Sequence, residues 1–461
     1  MASFKAVLRG SVTTAMFVTL AGPASAQTLR DALAAAYTNN PSLLSQRESL
    51  RSTVEGVPQA LGGWRPTIDL SGDYGKTRVH LSGRAPRRTE RTPHSVGAVI
   101  SQSLFNGFRT TADVGAAEFD VKAAQANLIG REQDVLLSAV IAYMDVVRDQ
   151  AVLDLNINNE QVLSRQLDAT RERFNVGEIT RTDVSQADAR LAGARASRIA
   201  SEGTLQNSRA TYLSVIGEVP GQLLPPEPPA DLPANLESAL ASARATHPDV
   251  VAASFAERSS QENIRSVKGE LLPTVDLVGS ITRLWQSSGD DSQQTTQSIT
   301  LELNQPIYEQ GVSYSRLRAA KINAGKSRLD LDVTRRSVVE AANRAFENLK
   351  TARAQIVSFD AQIRAAEIAL EGVQREAQVG SRTVLDILDA EQELLNARVN
   401  LVRSKRDEIV TAYQLKEATG EFTAARLQLP VQHYDANEYY NRVRNKWWGW
   451  DVPGGTVGGE E

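Results

Sequence analysis

Trp64-Arg65-Pro66-Thr67-Ile68-Asp69-Leu70-Ser71-Gly72 and Leu271-Leu272-Pro273-Thr274-Val275-Asp276-Leu277-Val278-Gly279 are one pattern written twice. In each, a helical stretch ends before a proline, because the residue preceding proline is disfavoured in the α region. Strict alternation follows. Ile68, Leu70, Gly72 and Tyr74 fall on one face, with Thr67, Asp69, Ser71 and Asp73 on the other; Val275, Leu277, Gly279 and Ile281 stand likewise against Thr274, Asp276 and Ser280. Partner runs set Val96, Ala98 and Ile100 opposite Ser95, Gly97 and Ser101, and Ile299, Leu301 and Leu303 opposite Ser298, Thr300, Glu302 and Asn304. Four strands of about 9 to 11 residues with one apolar and one polar face meet the needs of a transmembrane barrel. They fit a half-buried sheet in a soluble protein as well. The smallest membrane barrels have about eight strands, so the barrel reading requires an oligomer. The stretches 75–93 and 286–297 read as exposed polar loops.

The duplication extends well beyond the strands. Pro41 recurs as Pro248 and Pro66 as Pro273 at an offset of 207, whereas Gln102, Gly177, Asp183 and Gly217 recur as Gln305, Gly380, Asp386 and Gly420 at 203. A unit this long is a tandem duplication rather than a solenoid repeat of about 20 to 50 residues. The chain accordingly divides into a signal peptide (1–26), a first repeat of helix, two strands, long helix and helix (27–217), a Pro-rich linker (218–234), a second repeat (235–420) and a tail (421–461).

Asn39-Asn40-Pro41 and Thr246-His247-Pro248 place proline at the first helical position of each repeat. From Phe105 to about Arg173, and from Tyr308 to about Gln378, the chain has no proline and little glycine. About 70 helical residues make a rod on the order of 100 Å. Ile363, Leu370 and Ala377, and again Leu388, Leu395, Val402 and Ile409, recur every seven residues, the seam of paired helices. The shorter helices, about 30–62 and 182–217, each span half a rod, so two end to end pair with a long one. Asn175-Val176-Gly177-Glu178 and Gln378-Val379-Gly380-Ser381 are turns with glycine as C-cap.

Lys5 and Arg9, the apolar stretch 12–22 and Ala24-Ser25-Ala26 read as a secretory signal, so the mature chain is exported. After it no run of about 18 apolar residues could form a membrane helix. The chain has no cysteine, which excludes disulfides, thiolate metal sites and a lipid anchor on a cysteine following the signal. A net charge of −4 gives no basic field for nucleic acid. Gly325-Lys326-Ser327 imitates the end of a phosphate loop, but Ala320 stands where the first glycine belongs, and the segment lies within a long helix. His80, His94, His247 and His433 lack metal-ligand spacing and read as surface or loop residues. With no catalytic constellation, no enzyme, cofactor or metal is expected.

These features together resemble the TolC family of outer-membrane ducts: the signal, the duplicated helix-strand-strand-helix module, proline before each first strand, Gln305-Pro306-Ile307-Tyr308 at the sheet-to-helix switch, and Gly380-Ser381-Arg382-Thr383-Val384-Leu385-Asp386-Ile387-Leu388-Asp389-Ala390. The resemblance covers about 28–420. It implies a mainly α fold with a small membrane β-barrel: a homotrimer whose twelve strands, four per chain, form one barrel in the lipid of the outer membrane, continuous with a long α-helical barrel in the periplasm. It further implies an exit duct for type I protein secretion or multidrug efflux, working with a periplasmic adaptor protein and an inner-membrane ABC or RND-type transporter. Without the lipid-anchoring cysteine, the unlipidated branch, which exports proteins as well as small molecules, is the expected one.

Asp386 and Asp389 share a helix face at i, i+3 and match the family's acidic positions at the periplasmic constriction. Six carboxylates near one axis would repel anions and attract cations. The plainer reading is that both favour a helix N-terminus. Arg382 matches an arginine that ties the gating helix pair to its neighbour through Thr182 and Asp183. A tyrosine that helps close the family's gate falls on Ala377. After Arg426, Tyr434, Tyr439, Tyr440, Trp447, Trp448 and Trp450 precede a Gly-rich acidic tip, and read either as packing against the helices or as a partner-docking element. The reading from a different class is a periplasmic coiled-coil scaffold or adaptor without a pore.

Overall fold

The computed structural model describes residues 27–84, 87–289 and 291–452. The signal read at 1–26 and the tip beyond 452 lie outside the described residues. The first repeat runs α1 (Leu29–Asn39), α2 (Pro41–Val54), α3 (Gly56–Leu61), a 3-10 turn (Gly62–Trp64), β1 (Thr67–Tyr74), β2 (Thr77–Leu81), β3 (Arg87–Arg91), β4 (His94–Asn106), α4 (Arg109–Asn175) and α5 (Arg181–Ile216). The second runs α6 (Leu236–Thr246), α7 (Pro248–Gly269), β5 (Thr274–Trp285), β6 (Gln293–Asn304), α8 (Val312–Gln378) and α9 (Val384–Ala418), and the tail adds α10 (Glu438–Val443).

The prolines act as punctuation. Pro41 and Pro248 open α2 and α7, where a missing N–H costs nothing, and the preceding residues supply the caps. Asn40 Oδ1 accepts the Ser42 N–H at 2.9 Å. His247 Nδ1 accepts that of Asp249 at 3.2 Å, so this histidine is a half-buried cap rather than a loop residue. His94 likewise belongs to β4. The helix expected over 30–62 is in fact three, since the extended Asn40 and then Glu55-Gly56 interrupt it.

The rods α4 and α8 are 67 residues each, about 100 Å at 1.5 Å per residue. They start about four residues later than the sequence implies: before α4, β4 continues to Asn106 and a turn follows it, and before α8 the stretch 305–311 stays outside the helix. Gly107 makes that turn with φ +68°, and a Cβ there would collide with the Gly269 carbonyl of the other repeat. Gly325-Lys326-Ser327 lies within α8.

Two shorter helices stacked end to end do pair with α4, but one comes from each repeat. Phe119 stacks on Phe255 of α7, and a Cβ at Gly115 would meet Glu262. Farther along, Asn156 Nδ2 donates to Ser201 Oγ of α5 at 2.7 Å, and Glu160 pairs with Arg195 and Arg198. Along α8 the rungs to α9 include Arg353–Glu408, Gln362–Glu393 and Arg398–Glu367.

The four-stranded antiparallel sheet has the order β1-β4-β5-β6, so its central pair joins the two repeats. Its register lines Ile68 with Ile100, Ala98 with Ile281, and Leu277 with Leu301. One face is therefore mainly apolar, with Gln102 beside Leu277 and Gln297 beside Ile281 on it; the other carries Asp69, Ser71, Ser280, Thr300 and Glu302. The stretch 75–93 is more than a loop: β2 and β3 pair within it, from Thr77 with Arg91 to Leu81 with Arg87. The second loop is shorter than expected, since pairing continues to Trp285 with Gln293.

Candidate functional site

At the end of the helices away from the sheet, the two repeats present the same turn. Gly177 and Gly380 take φ +82° and +81° after α4 and α8. Each following helix opens on a reciprocal cap. The Thr180 N–H and hydroxyl donate to Asp183 Oδ2 at 3.0 and 2.8 Å, and Thr180 Oγ1 accepts the Asp183 N–H at 3.3 Å. Thr383 and Asp386 repeat this at 2.8, 2.8 and 3.3 Å. The backbone N–H and hydroxyl of Thr383 lower the pKa of the Asp386 carboxyl, favouring its charged form.

Arg382 is not joined to Thr182 or Asp183 within the chain. Its Nε donates to Glu376 Oε2 at 2.9 Å, across its own turn, and Glu376 raises its pKa further. The reason is local: the turn returns the chain on itself within six residues, while the Asp183 carboxylate is engaged by its own helix cap. The first repeat closes its turn with the opposite polarity, Arg173 Nε donating to Glu178 Oε2 at 3.0 Å. Ala377, in place of the family's tyrosine, is buried.

The ion pair that joins the repeats here was missed by sequence reasoning. Arg190 Nη2 of α5 reaches Asp389 Oδ1 of α9 at 2.5 Å. Nothing in the periodicity marks an arginine 199 residues away as its partner. Beneath lies an apolar plug in which Leu163 and Leu167 of α4 and Ala187, Leu191 and Ala194 of α5 meet Val384 and Leu388 of α9. Of the two predicted aspartates, then, Asp386 is a cap and Asp389 is a bridge. Both remain at the helix ends, one turn apart.

At the other end of the molecule the apolar face of the sheet is open. Ile68, Leu70, Val96, Ile100, Ile281, Ile299, Leu301 and Leu303 are exposed in the chain. At the loop end of this face Tyr74, His94 and Trp285 form an aromatic row, His94 stacked on Trp285 at 5.0 Å. Strands β1 and β6 each have a free edge in the single chain. An exposed apolar face with two unpaired edges is completed by lipid and by further strands. No described helix is long and apolar enough to cross a membrane, so the strands are what can enter it.

The model of the family described as "Outer membrane efflux protein" matches residues 32–218 and again 239–421. The chain belongs to this family. Among its relatives, the outer membrane efflux protein BepC of Brucella suis is 38% identical over 433 residues, covering 94% of either chain. Outer membrane protein TolC of Vibrio cholerae is 26% identical over 412 residues, 87% of this chain and 92% of that one. Among solved structures, the Campylobacter jejuni CmeC outer membrane channel superposes with a TM-score of 0.78 at 16% identity, over 90% of this chain and 89% of that one.

As a member of the outer membrane efflux protein family, this chain is an outer-membrane exit duct and not an enzyme. The long α-barrel continuous with a β-barrel is the architecture of the family's trimeric channels, and the open sheet seen here is one chain's share of four strands. Ducts of this family act within tripartite efflux and secretion systems. The pore-less scaffold does not account for the exposed apolar sheet.

Proposed function

We propose that this chain is the passive outer component of such a system, receiving substrate from a periplasmic adaptor and an inner-membrane ABC or RND-type transporter, and that it is gated at the helical tips. Asp386 and Asp389 of three chains form the acidic constriction. The observation that carries this is the placing of both carboxylates one turn apart at the N-terminus of α9, on the helix that the Arg190 bridge and the plug around Leu388 hold against the first repeat. Asp386, kept ionised by its cap, supplies fixed negative charge, and Asp389 exchanges Arg190 for solvent when the tips separate. A lock through Arg382, Thr182 and Asp183 is then a contact between chains of the trimer.

Single-channel conductance in a planar bilayer tests the reading. Wild type gives a small cation-selective conductance, and Asp386→Ala/Asp389→Ala loses the selectivity while leaving the pore intact. Unaltered cation selectivity in the double variant removes the constriction from these residues. Unaltered conductance in Arg382→Ala removes the lock.

A further inference from the structure

The tail climbs the first repeat toward the membrane. Its partners on α4 move steadily toward the start of that helix: the Ala424 N–H donates to Glu132 at 2.7 Å, Asn437 Oδ1 accepts from Gln125 at 3.0 Å, and Arg444 donates to Glu118 at 2.9 Å. The 14 residues between Glu132 and Glu118 span about 21 Å at 1.5 Å per residue. On the other side the partners run from Tyr37, whose hydroxyl accepts the Tyr434 N–H, through Glu55, which accepts from Tyr439 Oη at 2.6 Å, to Arg65, which donates to the Lys446 carbonyl at 2.9 Å. Tyr439 and Val443 are buried along this path, so this part of the tail packs.

The path ends at the helix-side rim of the sheet, because Arg65 stands two residues before β1. Here packing stops and exposure begins. Trp447 lies under the Arg65 guanidinium at 4.9 Å and stays more than half exposed. Trp448 is 82% and Trp450 97% exposed. The turn between them is built: Gly449 takes φ +102°, and Lys446 Nζ donates to the Asp451 carbonyl at 2.7 Å. Trp64 and Phe108 are exposed apolar rings at the same level of the chain, on either side of the sheet's helix-side ends.

We infer that residues 446–451 form an interfacial anchor, seating Trp448 and Trp450 among the phospholipid headgroups of the periplasmic leaflet of the outer membrane. Three arguments select lipid as the occupant. The loop is continuous with the rim of the apolar sheet face that meets the bilayer. Indole, with an apolar ring and one N–H, is most favourable where hydrocarbon meets water. Finally, Lys446 and Arg65 flank the rings with the charge that anionic headgroups attract. Together with the row Tyr74, His94 and Trp285 at the far rim, the tail brackets the apolar band with aromatics on both sides.

The test uses the full-length oligomer in phosphatidylethanolamine/phosphatidylglycerol vesicles. In a Trp64→Phe/Trp285→Phe/Trp447→Phe variant the emission comes from Trp448 and Trp450 alone. Replacing part of the lipid with phosphatidylcholine brominated near the headgroup is expected to quench that emission, and iodide added to the water to quench it weakly. Strong iodide quenching without bromolipid quenching leaves the rings in water and overturns the anchor. Shielding from both quenchers assigns the rings to a neighbouring copy of the chain and overturns it equally. A second reporter covers a variant that fails to assemble: the chain has no cysteine, so a spin label at Val452→Cys reads the same boundary with all tryptophans present. Collisions with oxygen should there exceed those with a water-soluble nickel chelate; the reverse order overturns the proposal.

Discussion

Before its glycine the first repeat's turn has Arg173 and after it Glu178; in the second Glu376 stands 203 residues on from Arg173, and its partner after the glycine is Arg382, one place beyond Ser381, the counterpart of Glu178. The backbone of the two turns is the same, and so are the caps, Thr180 with Asp183 and Thr383 with Asp386. What differs is where the side chains lead. Leu388 enters the plug, whereas its counterpart Ser185 is exposed; Asp389 bridges to Arg190, whereas its counterpart is Gln186. Helix caps satisfy N–H groups that any helix start leaves open, so both copies keep them. Contacts outside the turn have no such constraint, and there the copies have taken different roles.

The comparison breaks most visibly at the plug. Leu388→Ala is expected to cost about 2–5 kcal/mol, as for other buried leucines, and Ser185→Ala less than about 0.5 kcal/mol, both read by thermal unfolding of the folded oligomer. Equal costs would mean that the second tip carries no special packing.

The next effect lies at the opposite ends of the same two helices, where Glu417 of α9 corresponds to the exposed Ser214 of α5. Burial, with Asp134 and Asp249 adding to it, pushes the Glu417 carboxyl up to about 7. The folded value lies above the unfolded one, so the native state binds the proton more tightly. Stability is fullest below about pH 4.5 and falls as pH rises through about 7, by at most roughly 3 kcal/mol from this group. Glu417→Gln should flatten that part of the pH profile of the unfolding temperature. If the slope persists, another group is responsible.

The caps sharpen the comparison in the other direction, because here the copies should agree. Thr180→Ala and Thr383→Ala are each expected to loosen the first turn of their helix by about 1 kcal/mol, seen as faster hydrogen exchange there. The smallest change in stability belongs to Arg190→Ala, since its ion pair is solvent-exposed. Its effect should instead appear in conductance as a higher open probability. An unaltered open probability would leave the plug around Leu388 to hold the two helical tips together.

Much of this was legible in the sequence. Proline before each first strand, strict alternation and long proline-free runs gave the helices, the strands and their apolar face, because each is a local pattern with a fixed period; that the face meets lipid came from the resemblance. Asp386 was legible as a cap from Thr383 three residues before it. The hairpin of β2 and β3 was read as loop because its strands are only five residues each and Arg87–Arg91 is wholly polar, so Val79 and Leu81 make too short an alternation to stand out. The partner Arg382 finds within the chain, Glu376 six residues before it across the turn, was not legible, because the residues of the turn carry no period that marks the pair.

By itself the sequence determined that two copies of one module would each make paired helices about a long rod and two amphipathic strands, since residue periods and breakers act over a few neighbours. Only the tertiary structure decided that β4 would meet β5, that α4 would share its length between α5 and the other repeat's α7, that Arg190 would answer Asp389, and that the tail would climb to Arg65. Those choices join residues from about 130 to nearly 400 apart in the chain. Packing selects such pairs, and no local period records them.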